Sequence, residues 1–391
     1  GCARARRFVI RAGTAQRERL HETFAALCRI ESPSGRERAC ADWVKEQLRS
    51  LGLDVHEDGC GPAARSNAGN LLARIDGASE ASILLCAHLD TVPLAAPVEP
   101  VMADGAWTNA NDGILGADNK SAVAVILELA RALTGPHGRP PVSVEILFTV
   151  CEEVALRGSR EFDVAQLRSA FGYVFDHATP IGEVVIASPT EYGIVAELHG
   201  RAAHAGLRPE AGRSAIAAAA AAIAAMKLGR LDAETTANVG TIHGGSAINV
   251  VPEHCRIEAE VRSLDGDRAA ALATEMVDHL NDAANAGECD LDVSLRQLFA
   301  GYRTSPRGPQ LVVAERALAA CGYEPRRITS GGASDANSFE AAGFPCTCLA
   351  DGVERNHQPD ERVGAAALES MLEIALTIVE EAAVELQGAG G

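Results

Sequence analysis

Ile83-Leu84-Leu85-Cys86-Ala87-His88-Leu89-Asp90-Thr91-Val92-Pro93 opens on five apolar residues and closes on a histidine, a carboxylate and a proline turn. An unbroken apolar run of this length, bounded by turn residues, reads as a strand buried on both faces, as in the middle of a parallel sheet. His88 then falls just past the strand's carboxyl end, where ligands collect in open α/β sheets. Asp90, two residues on, is placed to accept the other ring N–H of His88 and fix its tautomer. Alone, such a pair is more often structural than catalytic.

Working outward, the flanking segments alternate. Helical patterns cover residues 16–29 and a second stretch that follows Pro33-Ser34-Gly35, with Ser34 as its N-cap, and ends near Gly52. Residues 71–75 read as a strand, 120–133 as a helix, 142–150 as a strand, 155–169 as a helix and 172–175 as a strand. This alternation implies helices packed on a largely parallel or mixed sheet. The character changes after about Pro189. Strands over 194–199, 236–243 and 255–261, with helices over 211–228 and 267–284, give the order of a small α+β sandwich. A loop over 301–309 marks a return to the first pattern. The expected fold class is therefore α/β: a split domain, residues 1–189 and 303–391, with a mixed, mostly parallel sheet flanked by helices, and an inserted α+β sandwich lid or dimerisation domain over 190–302.

Bulk composition agrees with two domains. The chain has 391 residues, 47% of them hydrophobic, enough for a sizeable core. Asp and Glu number 53 against 35 Lys and Arg, a net charge of -18, so nucleic acid is not an expected partner. The 11 cysteines are scattered through apolar segments rather than spaced as a disulfide framework, which suits reduced thiols in a cytoplasm. Cys346 and Cys348 alternate along an apolar run as buried strand residues do. Residues 1–11 carry arginines but no apolar core of a secretory signal. The alanine-rich stretch 215–226 is well short of the ~20 residues of a membrane span and reads as a helix packed on a sheet, so no membrane is expected. The closing Gly-Ala-Gly-Gly reads as a frayed tail.

Chemistry recurs at the ends of the predicted strands. Gly113-Ile114-Leu115-Gly116-Ala117-Asp118-Asn119-Lys120 lacks the spacing of a dinucleotide fingerprint or a phosphate loop. It offers Asp118 at a helix entrance, where simple capping is the plainer reading. The strand over 142–150 runs into Cys151-Glu152-Glu153. Two adjacent carboxylates behind a buried strand would be driven to high pKa values unless a cation were near. Asp176-His177 and Asn356-His357-Gln358-Pro359-Asp360-Glu361 each follow another apolar strand. Histidines and carboxylates without thiolates, gathered at one sheet edge, suit zinc, cobalt or manganese.

Together these residues resemble the dinuclear zinc aminoacylase/carboxypeptidase superfamily of metallopeptidases, in particular its peptidase T-like branch. The resemblance spans nearly the whole chain and is carried by His88-Leu89-Asp90-Thr91-Val92-Pro93, Gly116-Ala117-Asp118-Asn119-Lys120, Cys151-Glu152-Glu153, Asp176, Ala203-His204-Ala205-Gly206, Ser330-Gly331-Gly332-Ala333-Ser334-Asp335 and Asn356-His357. It implies that His88 and Asp176 hold one metal, Glu153 and His357 the other, and Asp118 bridges them. Asp90 would orient His88 and Glu152 would be the general base. His204 matches a lid histidine that reaches a partner subunit's active site in dimeric relatives. Asn249 and Arg262 match lid positions that bind polar groups of the substrate, a carboxylate included, and Gly332 a loop lining the substrate pocket. Asn119 departs from the pattern, which often has a second aspartate there.

The implied activity is hydrolysis of a peptide or amide bond in a short, carboxylate-bearing substrate by a homodimer carrying two divalent metal ions per subunit. A water shared by the metals would be the nucleophile. Glu152 would take its proton and pass it to the leaving amine, His204 would stabilise the oxyanion, and Arg262 would clamp the carboxylate. A polar lid-surface histidine is the plain alternative for His204 and a sheet-surface ion pair that for Arg262; the functional readings are favoured. A tripeptide-type aminopeptidase is the leading expectation. A carboxypeptidase or a deacylase of N-acyl amino acids would use the same metals, and a silent metal- or peptide-binding relative would have little need for Glu152.

Overall fold

The computed structural model describes residues 11–135 and 139–388; the arginine-bearing start up to residue 10 and the end of the expected frayed tail lie outside the described residues. The run at residues 83–87 forms the middle of the strand Ser82–His88, buried at every position. It has parallel neighbours on both sides: Ser143–Thr149, with His88 opposite Thr149, and Phe171–His177, with Cys86 opposite Val174. Phe171–His177 pairs in parallel with Cys346–Ala350, which is buried throughout and includes Cys346 and Cys348. Beyond these four the direction reverses. Leu71–Ile75 runs antiparallel to Ser143–Thr149, Val55–Glu57 antiparallel to Leu71–Ile75, and Glu183–Ser188 antiparallel to Cys346–Ala350. The sheet is therefore mixed and parallel through its centre.

Parallel neighbours need a crossover, and here it is a helix. Ala117–Leu133 links Ser82–His88 to Ser143–Thr149 and is buried over nearly its whole length, with Thr14–Cys28 and Ala365–Gly388 packed against it. A helix apolar on all sides is one that neighbours surround. Because the four central strands share a direction, their carboxyl ends lie along one edge, and the segments leaving that edge carry His88, Glu152, Glu153 and Asp176.

The described chain divides into two units, each with its own apolar core. One gathers the described residues up to Ile186, Arg303–Ser330 and those from Ser334 onward; the other is Ala187–Tyr302 with Gly331–Ala333. The second unit is an antiparallel sheet. Asp290–Phe299 lies at one edge, followed by Thr190–His199, His254–Ser263 and Thr235–Gly244. The helices Ala215–Ala225 and Gly266–Ala286 pack on it. Ala215, Ala218, Ala219 and Ala222 are the buried positions of the first of these helices, a helical stripe of small side chains that lets it lie close to the strands.

Two local expectations are corrected. Ser34 does not cap the second helix. Arg38–Ser50 begins after Glu37, and the Ser34 hydroxyl instead donates to Asp90 Oδ2 at 2.7 Å, a buried carboxylate being the stronger acceptor. The helix expected over 155–169 is only Arg157–Glu161, followed by the short 3-10 turn Val164–Gln166. Phe162 is extended there, and the Asp163 side chain accepts the Ala165 N–H at 3.0 Å, offering the backbone a local bond that ends the helix.

Gly158 seats this short helix against the end of Ser143–Thr149. A Cβ there would lie 2.0 Å from the Val150 carbonyl oxygen and 2.8 Å from Asn70 Oδ1. Gly158→Ala should therefore lower the urea midpoint by the equivalent of about 1–3 kcal/mol. A midpoint equal to that of the parent would mean that the turn has room for a methyl group.

Candidate metal centre

His88 ends its strand with a side chain only 1% exposed. Its Nδ1 lies 2.9 Å from the Asp90 carbonyl oxygen. A carbonyl only accepts, so Nδ1 carries the hydrogen and Nε2 turns to the opposite side. There it meets Asp118 Oδ1 at 3.2 Å, Asp176 Oδ1 at 3.3 Å and Glu152 Oε2 at 4.0 Å. The expected role of the Asp90 carboxylate changes in detail. The main-chain oxygen of Asp90 takes the short bond from His88, while its carboxylate Oδ1 stands 3.4 Å from the same nitrogen. That carboxylate accepts the backbone N–H groups of Glu152 at 2.9 Å and Glu153 at 3.2 Å. One residue thus orients the imidazole and the turn bearing both glutamates.

Asp118 sits in the first turn of Ala117–Leu133, where the backbone is kinked and the Asp118–Asn119 peptide is cis. Its second oxygen, Oδ2, lies 3.3 Å from His357 Nε2 and accepts Asn356 Nδ2 at 2.9 Å. His357 Nε2 is also 2.9 Å from Glu153 Oε1. The two oxygens of Asp118 therefore face two different donor groups: His88 with Asp176, and His357 with Glu153. In each group one ligand atom per residue lies within 4.8 Å of the others. Asn119 donates through Nδ2 to the Phe175 carbonyl at 2.6 Å and to Asp176 Oδ1 at 2.8 Å, so an amide stands where a second carboxylate would repel Asp176.

The electrostatics fit a cation. Among the described residues no Lys or Arg ion-pairs with Asp118, Glu152, Glu153 or Asp176. Burial, with Asp176 adding to it, pushes Glu152 well above the usual carboxylate range, and burial, reinforced by Asp118, pushes Asp176 up to about 8. Burial also raises Glu153. Hydrogen bonds to Asp118 and Glu153 raise His357 to about 10. Burial opposes charge on His88, yet Asp176, Asp118 and Asp90 hold its pKa well above that of a free imidazole. Burial likewise opposes charge on Asp118, but its bonds from His357 and His88 keep it below the usual range. The cluster holds protons because it has more negative charge than its imidazoles balance. Divalent ions would replace those protons, and the donors, imidazole nitrogen and carboxylate oxygen, are of the type such ions take.

Sequence reasoning missed Glu37. It is fully buried and accepts the N–H groups of Gly35 at 2.9 Å and Cys151 at 3.1 Å and the Ser66 hydroxyl at 2.6 Å. It supports the Cys151-Glu152-Glu153 turn from behind. Its partners are far apart in the chain, so no local motif announces it.

The other expected site residues belong to the second unit. His204 and Asn249 stand on two exposed loops that pair with each other: Ala205 N–H donates to the Asn249 carbonyl and Val251 N–H to the Ala203 carbonyl, each at 2.9 Å. His204 Nδ1 accepts the Gly206 N–H at 3.2 Å. Arg262 lies on His254–Ser263 with Nη2 2.9 Å from Glu260 and 3.1 Å from Glu191, and its Nη1 donates to the Gly331 carbonyl at 3.3 Å. The guanidinium expected to clamp a substrate carboxylate is thus held by two carboxylates of the chain itself. The Gly332 carbonyl accepts the Ser188 hydroxyl at 2.8 Å.

Comparison with known proteins agrees with this geometry. Residues 193–288 match the model of the peptidase dimerisation domain of the M20 family, and residues 70–179 match that of peptidase family M28. The chain is 34% identical to the Bacillus subtilis protein YqjE, over 94% of this chain and 99% of that one. The crystal structure of the aminopeptidase PepT from Bacillus cereus matches with a TM-score of 0.84 at 33% identity, and that of a tripeptidase from Staphylococcus aureus with 0.88 at 33%; each match covers 94% of this chain and 99% of the other. Over nearly its full length, then, in sequence and in fold alike, the chain belongs to the M20 metallopeptidases, in their peptidase T-like branch.

Proposed function

We propose that the protein is a two-metal aminopeptidase that releases the N-terminal residue of short, carboxylate-bearing peptides, tripeptides foremost. The observation that carries this reading is the pair of donor groups joined by Asp118, with Glu152 beside them. His88 and Asp176 would hold one ion, Glu153 and His357 the other, and Asp118 both; zinc is the ion we favour, with cobalt or manganese able to use the same donors. When bound, two such ions supply Lewis acidity at the scissile carbonyl and lower the pKa of a water.

The chain's own groups do the rest. Glu152, buried and with raised proton affinity, accepts the proton of the attacking water and delivers it to the leaving amine. Asp90 keeps Nδ1 of His88 protonated and so aims Nε2 inward. Asn119 holds Asp176 by its Oδ1. Asn249, Arg262 and Gly332 are the proposed substrate-side residues, and Arg262 would clamp a carboxylate by exchanging Glu191 or Glu260 for it.

We read the working form as a homodimer in which His204 serves the partner's site. Leu207 is 75% exposed and Ile248 fully exposed, on the paired loops that carry His204 and Asn249. Apolar side chains gathered on one rim favour a protein contact, and the match to a peptidase dimerisation domain covers both loops. The cytoplasm is the proposed compartment: the cysteines are free among the described residues, and no helix among those residues is long and apolar enough to cross a membrane.

Hydrolysis of a small panel with added zinc, cobalt or manganese tests the reading. Free-amine tripeptides should lose their N-terminal residue, chelator should abolish this, and N-acylated substrates should remain intact. Glu152→Gln should lower kcat by about 10²–10⁴-fold with metal content retained. Cleavage of blocked substrates alone would move the activity to a deacylase or carboxypeptidase. The dimer is tested with the double variant Leu207→Glu, Ile248→Asp, which should sediment as a monomer and turn over more slowly. A variant that stays dimeric at full activity would remove this rim from the interface.

A further inference from the structure

Glu361 lies four residues beyond His357 and is 1% exposed. Its Oε2 accepts the backbone N–H groups of Leu115 and Gly116, each at 2.8 Å, and its Oε1 accepts that of Asp118 at 3.0 Å. These three amides form the turn that opens Ala117–Leu133, and the left-handed Gly116, at φ +76°, lets them converge on one anion. Among the described residues no Lys, Arg or His comes within ion-pair distance of Glu361, so those amides alone offset its burial, which pushes it up to about 7. A buried carboxylate is costly to move from such a seat, because any shift leaves it unpaired.

The same segment holds Asp118 a second time. Asn356 Nδ2 donates to Asp118 Oδ2, and His357 stands between the two grips. His357 needs them. Its backbone is left-handed, at φ +64°, and its side chain is 45% exposed. It comes from the irregular stretch between the short strands Val353–Glu354 and Arg362–Gly364. His88, by contrast, ends a strand in the middle of the sheet, paired with Thr149, and Asp176 lies on the neighbouring strand Phe171–His177, at a bulge opposite Leu349 and Ala350, with its side chain held by Asn119. The two donor groups therefore differ in how they are built, one on the sheet and one on a tethered loop.

We propose that Glu361 is a positioning residue that ties the His357 loop to the Asp118 turn and thereby sets the affinity for the cation held by Glu153, His357 and Asp118 more strongly than for the one on the His88–Asp176 side, which shares only Asp118. The inference rests on the two-metal reading above. Glu361→Gln removes the charge and sets an N–H₂ donor against backbone donors; Glu361→Asp keeps the charge on a side chain one methylene shorter.

The test is a zinc titration of the full chain after chelator treatment, by calorimetry or equilibrium dialysis, for the parent, Glu361→Gln and Glu361→Asp. The parent should take up two equivalents. Glu361→Gln should weaken one site by about 10–100-fold and the other by far less, with Glu361→Asp in between, and excess zinc should restore most of kcat. Near-unchanged circular dichroism of the stripped proteins would accompany this; should Glu361→Gln fail to fold, Glu361→Asp carries the same criterion. Two parental affinities in a folded variant, or equal weakening of both sites, would overturn the proposal. A parent that binds fewer than two equivalents would sink the two-metal reading itself.

Discussion

The carboxylate of Asp118 is shared. One oxygen faces His88 and the other His357, and most of the surrounding structure exists to keep it there. The His88 side is set by a central strand with parallel neighbours, which cannot shift by one residue without moving every buried side chain to the opposite face of the sheet. The His357 side is set by a loop that takes hold of Asp118 through Asn356 and Glu361. Between them, four carboxylates and two imidazoles share a volume in which they cannot all carry their ordinary charges. Burial raises the proton affinity of Glu152, Glu153 and Asp176, and cations would take the place of those protons. That frustration marks the cluster as a candidate metal centre rather than an ion-pair network.

Around it, buried carboxylates act as fasteners for backbone. Asp90 accepts the N–H groups of Glu152 and Glu153, Glu37 those of Gly35 and Cys151, and Glu361 those of the turn before Asp118. An N–H bonded to an ionised acceptor is held more strongly than one bonded to a carbonyl. Loops built this way can present ligands as rigidly as strands do, which a site with left-handed residues at Cys151 and His357 requires.

Much of this was legible in the sequence, for reasons that can be named. The strand at 83–87 announces itself because a buried central parallel strand is apolar on both faces, and His88, Glu152 and Asp176 become visible as polar residues directly after such runs. The alanine helix of the second unit shows its packing by composition alone. What escaped depends on distant parts of the chain. Glu37 meets Cys151 across more than a hundred residues, and Glu361 has no role that its motif reveals because its partners precede it by well over two hundred. Ser34 resembles a cap because local rules ignore Asp90. Arg262 shows both cases: Glu260 is two residues away on the same strand face, but Glu191 joins it only through the register that sets Arg262 opposite Glu191. The family resemblance supplied the roles, while the partners of the ion pair at Arg262, Glu260 and Glu191, came from the fold.

The measurement that bears most directly on this account is anomalous X-ray scattering from crystals grown with zinc. The account requires two peaks per chain, one on each side of the Asp118 carboxylate, within ligand distance of His88 and Asp176 on one side and of Glu153 and His357 on the other. A single peak, or two peaks that leave Asp118 bound on one oxygen only, would contradict it.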